Sequence, residues 1–162
     1  MRKVISNASP LITLAKADLL DLLPGQFSEV IVPKAVVDEI LQGPGDDPMR
    51  RMVNELPWLK PISLEPALTP LACWQLGRRE SEVIEYARRT SGTLALLDDK
   101  DARSVATALH IPVIGTLGIV AKSARKSGKS FDRMVKRLQE AGLYLNESVI
   151  STVRKALGES FS

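Results

Sequence analysis

The sequence predicts an α/β fold, a parallel sheet covered by helices, and three observations carry the prediction. Short β-rich apolar runs, such as Val4 to Ser6 and Glu29 to Val32, pass directly into segments with helical apolar spacing. The first third of the chain therefore reads β-α-β-α, the alternation that parallel strands require. Two of the apolar runs end on a short polar side chain next to a helix start, at Asn7 and at Asp98. Open α/β sheets build ligand sites at such carboxyl ends of strands, often where the strand order reverses.

Each element has a local justification. Val4 to Ser6 is a buried strand that stops at Asn7. Ser9 reads as the N-cap of the next helix, with Pro10 at its first position and Leu11, Ile12, Leu14 and Ala15 giving the apolar spacing. Ala17 to Leu23 is a second short helix closed by Pro24-Gly25. Glu29 to Val32 is the next strand, and Lys34 to Leu41 a helix stopped by Gly43-Pro44-Gly45. Asp46 and Asp47 lie in a loop, and Pro48 opens a helix over Met49 to Leu56. The stretch holding Pro57, Pro61, Pro66 and Pro70 is the least regular, and Trp58 to Leu64 fits there only as an edge strand. Trp58 and Trp74, in or next to this stretch, read as core or contact residues. Beyond it come a helix (Arg79 to Arg89), a strand (Thr93 to Leu97), a helix (Ala102 to Leu109) and a strand (Pro112 to Ile114). Thr116 reads as N-cap of the helix Leu117 to Lys126. Ser130 to Ala141 and Glu147 to Leu157 are amphipathic helices, with a short extended piece at Leu143-Tyr144-Leu145.

At 162 residues the chain is read as one domain, 1–162, with its C-terminal helices (about 130–158) packed on it. No signal peptide is visible and no apolar stretch approaches a membrane span. The single cysteine, Cys73, excludes an internal disulfide and fits a reducing cytosol, so a cytoplasmic location is expected. The net charge is only +3 but uneven. Lys122, Arg125, Lys126, Lys129, Arg133, Lys136, Arg137, Arg154 and Lys155 face only Asp132, Glu140 and Glu147 in the C-terminal stretch. Such a basic end suits a polyanion, or is simply a set of solvated helix faces.

Four polar residues stand out as candidates for chemistry. Asn7 either shapes a strand–helix turn or ends the strand in a ligand site. On a wheel of about 100° per residue, Glu80 falls inside the arc of Val83, Ile84 and Ala87, whereas Glu82 and Glu85 fall outside it. An inward carboxylate is expensive unless paired or metal-bound, and the alternative is interaction with the helix dipole. Asp98 and Asp99 end a strand as a cation site would, or cap the next helix with Asp101 in its first turn. Glu39 borders the stripe Val36, Val37, Ile40 and Leu41, with Asp38 at the other border. Together Asn7, Glu39, Glu80 and Asp98 make an acidic pocket for Mg²⁺ or Mn²⁺ acting on a phosphodiester. The single histidine, His110, disfavours histidine-rich metal sites and Ser-His-Asp triads, and no P-loop or dinucleotide fingerprint is present. A phospho-acceptor role for Asp98 rests on the Asp pair alone, since Gly115-Thr116 stand where a receiver-like domain would need lysine.

The segments VISNASPLITLAK, EVIVPKAVVDEI, LGRRESEVIEYA, LALLDDKDAR and PVIGTLGIVAK, in that order, resemble a PIN-domain family, more narrowly the PIN-like group DUF3368. The resemblance runs from Val4 to about Leu157. It implies a three-layer α/β/α sandwich with a central, mainly parallel sheet. It further implies a metal-dependent ribonuclease, often the toxin of a toxin–antitoxin pair, with RNA as substrate. A small antitoxin protein and a homodimer are the partners it suggests. By position, the family's first-strand acid falls on Asn7, its helix acid on Glu39, its middle-helix acid on Glu80 and its late-strand acid on Asp98, with Asp99 beside it. Ser9 matches the small hydroxyl residue after the first acid. Asn7 departs from the usual Asp, which leaves a second expectation: an inactive PIN-like module that binds RNA or protein.

Overall fold

The computed structural model describes residues 2–64 and 77–160. Among these residues five strands form one parallel sheet: β1 (Lys3–Ser6), β2 (Glu29–Pro33), β3 (Leu59–Ile62), β4 (Thr93–Leu96) and β5 (Val113–Ile114). Their spatial order is β3-β2-β1-β4-β5. The chain builds outward from β1 to β3, returns across the sheet, and builds outward again through β4 and β5. The order therefore reverses between β1 and β4, which pair directly with Ser6 opposite Leu96.

Strand side chains alternate between two cores, as the period of two requires. Val4, Val30, Val32, Leu94 and Leu96 point into the larger core. Ile5, Ile31, Ala95 and Leu97 point into the smaller one. Over the larger core lie α1 (Ala8–Lys16), α2 (Leu22–Gln26), α3 (Lys34–Leu41), α4 (Pro48–Met52), α7 (Thr116–Ser127), α8 (Phe131–Glu140) and α9 (Glu147–Ser160). The smaller core is covered by α5 (Arg78–Arg89) and α6 (Lys100–Ala108). The result is the three-layer α/β/α sandwich expected from the sequence. The C-terminal helices α8 and α9 both pack on α7. No helix of the described residues is long and apolar enough to cross a membrane.

Several boundaries differ from the sequence reading. The second helix runs through Pro24 and Gly25 rather than ending there. Pro24 is only its third residue, where the missing N–H has no intrahelical partner to lose. The helix opened by Pro48 ends at Met52, and Asp47 caps it by accepting from Met49 N–H at 2.9 Å. Leu143-Tyr144-Leu145 is irregular rather than a strand. The edge position of the third strand is as expected, and it accommodates Pro61. Trp58 packs partly buried against the larger core. Pro66, Pro70, Cys73 and Trp74 lie outside the described residues.

Helix α5 is buried on more of its circumference than its apolar stripe demands. Val83 and Ile84 are fully buried, but Glu82 and Glu85 are also only 5% and 6% exposed, though they join neither core. Glu85 is compensated from the next turn by Arg88 and by Arg89, the latter at 2.7 Å. The Arg88 hydrogen bond, aided by the charges of both arginines and opposed by burial, holds the Glu85 carboxyl below its ordinary value of 4.5. A lowered carboxyl value stabilises the fold above the unfolded value, and that contribution disappears as pH falls through the folded value. Wild type should therefore exceed Glu85→Gln in urea midpoint at about pH 7, and the gap should close at about pH 3.

Candidate metal and phosphodiester site

The first strand ends because Asn7 turns the chain. Its φ and ψ are extended (−78° and 173°), and its side chain accepts from the Ala8 N–H at 2.9 Å. Asn7 is thus itself the N-cap of α1, and Ser9, expected in that role, is the exposed second residue of the helix. Pro10 stands at the third position, still within the turn whose N–H groups lack helical partners. The expectation for Ser9 failed because Asn caps as well as Ser does, and the strand ends one residue before Asn7.

The other end of the Asn7 amide reaches across the chain. Asn7 Nδ2 donates to Glu80 Oε1 at 3.1 Å, joining the end of β1 to the first turn of α5. Asn7 is 9% exposed, so both of its polar ends are satisfied inside the protein. Glu80 lies in the first turn, where the helix dipole favours a carboxylate, and it also points inward to a partner. Both readings of this residue hold at once. Its other oxygen folds back on the N-cap, Gly77: a Cβ built there would stand 2.3 Å from Glu80 Oε2. The glycine leaves room for the carboxylate to turn toward Asn7.

Asp98 lies just past β4, beside the end of β1. It accepts from the Thr116 N–H at 2.8 Å through Oδ1 and from the Thr116 hydroxyl through Oδ2. The carboxylate thereby serves the N-terminus of α7, whose N-cap position is Gly115. Thr116, expected as a cap, is instead the first residue of α7, and its hydroxyl is turned to Asp98. A Cβ on Gly115 would meet Arg103 Nη1 at 3.1 Å and Asp98 Oδ1 at 3.2 Å, so this glycine lets guanidinium and carboxylate approach its backbone. Asp99 is exposed and caps α6 by accepting from Asp101 N–H at 2.9 Å.

Glu39 is exposed on α3, with its carboxylate 3.5 Å from Arg79 Nε, one residue before Glu80. Asn7 and Glu80 are therefore in direct contact, and Arg79 ties Glu39 to the same helix turn. Asp98 faces Thr116 from the neighbouring strand. Every side-chain donor in this set except the two arginines can offer oxygen, the donor chemistry of a hard divalent cation. Among the described residues, however, no three His, Cys, Asp or Glu side chains are grouped closely enough to share a metal ion. One member of the expected set is an amide, one is paired with Arg79, and one is bonded to Thr116. Sequence reasoning missed Arg79, Arg103, Gly77 and the true partner of Thr116. Gly77 and Arg79 stand in LGRRE, Arg103 in LALLDDKDAR and Thr116 in PVIGT, but their roles depend on which strands are neighbours.

A parallel sheet in this order, with polar side chains at the β1/β4 switch point, defines the chain as an α/β protein of the open-sheet kind, in which the carboxyl ends of the central strands are the usual place for a ligand. The family model DUF3368, a PIN domain, matches residues 3–159, and the chain belongs to that PIN-domain family. No curated protein matches the chain.

The double engagement of Asn7 makes its substitutions separable. Asn7→Ala should lose about 1 kcal/mol or more, because Ala8 N–H loses its cap and Glu80 its donor. Asn7→Asp keeps the cap but sets two carboxylates in contact, which raises a carboxyl value. In chelator, Asp at position 7 should therefore be less stable than wild type at neutral pH, with the gap narrowing on acidification. Thermal melts across pH read both effects.

Proposed function

We propose that the chain is a divalent-metal-dependent endoribonuclease of the PIN type, acting at the β1/β4 switch point. The observation that carries this reading is the meeting of Asn7 and Glu80 beside Asp98, three oxygen-bearing side chains from separate elements at one sheet end. Membership of a PIN-domain family supports it. Glu80 and Asp98 are the proposed principal carboxylates, with Glu39 as the outer acid and the Asn7 carbonyl as an uncharged donor. Asp99 and Ser9 flank them, and Asp99 is already engaged as a cap. Bound there, Mg²⁺ or Mn²⁺ supplies a water of lowered pKa and offsets charge developing on the phosphodiester.

The protein's own groups have distinct tasks in this reading. Thr116 fixes the orientation of Asp98 through two hydrogen bonds. The Asn7 amide aims Glu80, and Gly77 gives that carboxylate its space. Arg103 and Lys100, exposed beside Asp98, hold backbone phosphates by charge. The basic C-terminal helices add a salt-dependent attraction for RNA. As a toxin-type nuclease the chain acts in the cytoplasm as a homodimer, restrained by a small antitoxin protein.

A second reading is favoured by Asn7 itself. Its N–H₂ donates to Glu80 where an acid would need a cation between the two groups, so the pocket is satisfied without one. On that reading the chain binds RNA or protein and does not cut. Cleavage of a mixed-sequence RNA decides between them. Wild type should cut in Mn²⁺ and not in chelator, and Asp98→Asn or Glu80→Gln should lower the rate on the order of 100-fold with the melting transition retained. Cutting by Asn7→Asp alone would establish the second reading, and full activity of both carboxylate variants would remove the site assignment.

A further inference from the structure

Asp98 lies where two open depressions meet. One, of about 510 Å³, runs from Asp98 and Arg103 past Gly115 to Tyr144 and to Val149 of α9. The other, of about 560 Å³, runs from the same Asp98, Lys100 and Arg103 along α6 to Thr107. Tyr144 is 87% exposed and Val149 48%, the large apolar side chains that the described residues leave in water, and both line the first depression. Lys100 and Arg103 are exposed, and among the described residues neither is in an ion pair. The described groove therefore combines a bare aromatic ring at one end with two available cations beside the proposed catalytic carboxylate.

We propose that this groove is a track for single-stranded RNA, in which a base beside the scissile phosphate stacks on Tyr144 while flanking phosphates lie on Lys100 and Arg103. The proposal rests on the ribonuclease reading of the same site and adds which side chain of this protein holds the bases of the substrate. Three features select this occupant. A polymer cut internally must extend beyond the cleavage point, and the two depressions share Asp98, Lys100 and Arg103, one continuing along α6 to Thr107 and the other to Tyr144. Two cations in the groove match a polyanion rather than the apolar face of a partner protein. An exposed tyrosine ring offers a stacking platform that any unpaired base can use and that a base inside a duplex cannot reach.

The test uses the full chain in chelator, where binding is read without cleavage, and a fluorescent mixed-sequence single-stranded RNA. Tyr144→Ala should raise Kd about fivefold or more, and Tyr144→Trp should stay within about twofold of wild type, because stacking needs a ring and not a hydroxyl. The same RNA annealed to its complement should bind with no dependence on Tyr144. Equal affinity of wild type and Tyr144→Ala for the single strand would overturn the proposal. So would a Tyr144→Ala variant whose RNA affinity is unchanged while sedimentation shows a dimer lost, since the patch would then be a contact between copies. Parallel assays in Mn²⁺ separate the two readings. Tyr144-dependent binding without cleavage by wild type sustains the track and removes the nuclease, whereas cleavage and binding indifferent to Tyr144 remove the track alone.

Discussion

The Asn7 side chain is bonded at both ends: its carbonyl caps α1 and its amide holds Glu80 at the start of α5. Those contacts join the central strand to one helix on each face of the sheet. A carboxylate at this position could make the first bond and not the second. The amide thus lets a nearly buried polar side chain sit at the switch point with all its neighbours satisfied. The same bond defines what Glu80 can do, because it sets the direction of that carboxylate relative to the end of β1.

What brings these residues together is the sheet rather than any local motif. β1 and β4 are separated by more than half of the chain, yet they pair in register with Ser6 opposite Leu96. β5 then pairs with β4, Ile114 opposite Leu96, which delivers Thr116 to Asp98. Apolar side chains alternating into two cores hold the strands in that register, since a slip by one residue would exchange the two faces of each strand. Glycines complete the geometry where side chains must approach closely: Gly77 under Glu80, and Gly115 between Asp98 and Arg103.

Much of this was legible in the sequence, and the exceptions share a cause. Strand-to-helix transitions at Asn7 and Asp98 show as apolar runs ending on short polar residues, whereas helical spacing serves less well on α5: it sets Glu82 and Glu85 outside the apolar arc, yet both are buried and Glu80 is half-buried against Asn7. Ser9 and Thr116 read as caps because a hydroxyl before an apolar stripe is a local signal. Asn7 fills the first cap itself, and Asp98, eighteen residues from Thr116, satisfies the second. The burial of Glu85 likewise reflects two arginines one turn on as well as the stripe. Local patterns place side chains on faces; strand order decides which faces meet, and strand order is not written in any one segment.

The proposed chemistry depends on one cation site at the β1/β4 switch point, formed despite the amide at position 7. Anomalous diffraction from crystals of the full chain grown in Mn²⁺ tests it most directly. A manganese peak in contact with the carboxylates of both Glu80 and Asp98 is the expected result. An intact Asn7–Glu80 hydrogen bond, with no peak at that end of the sheet in saturating Mn²⁺, would contradict it.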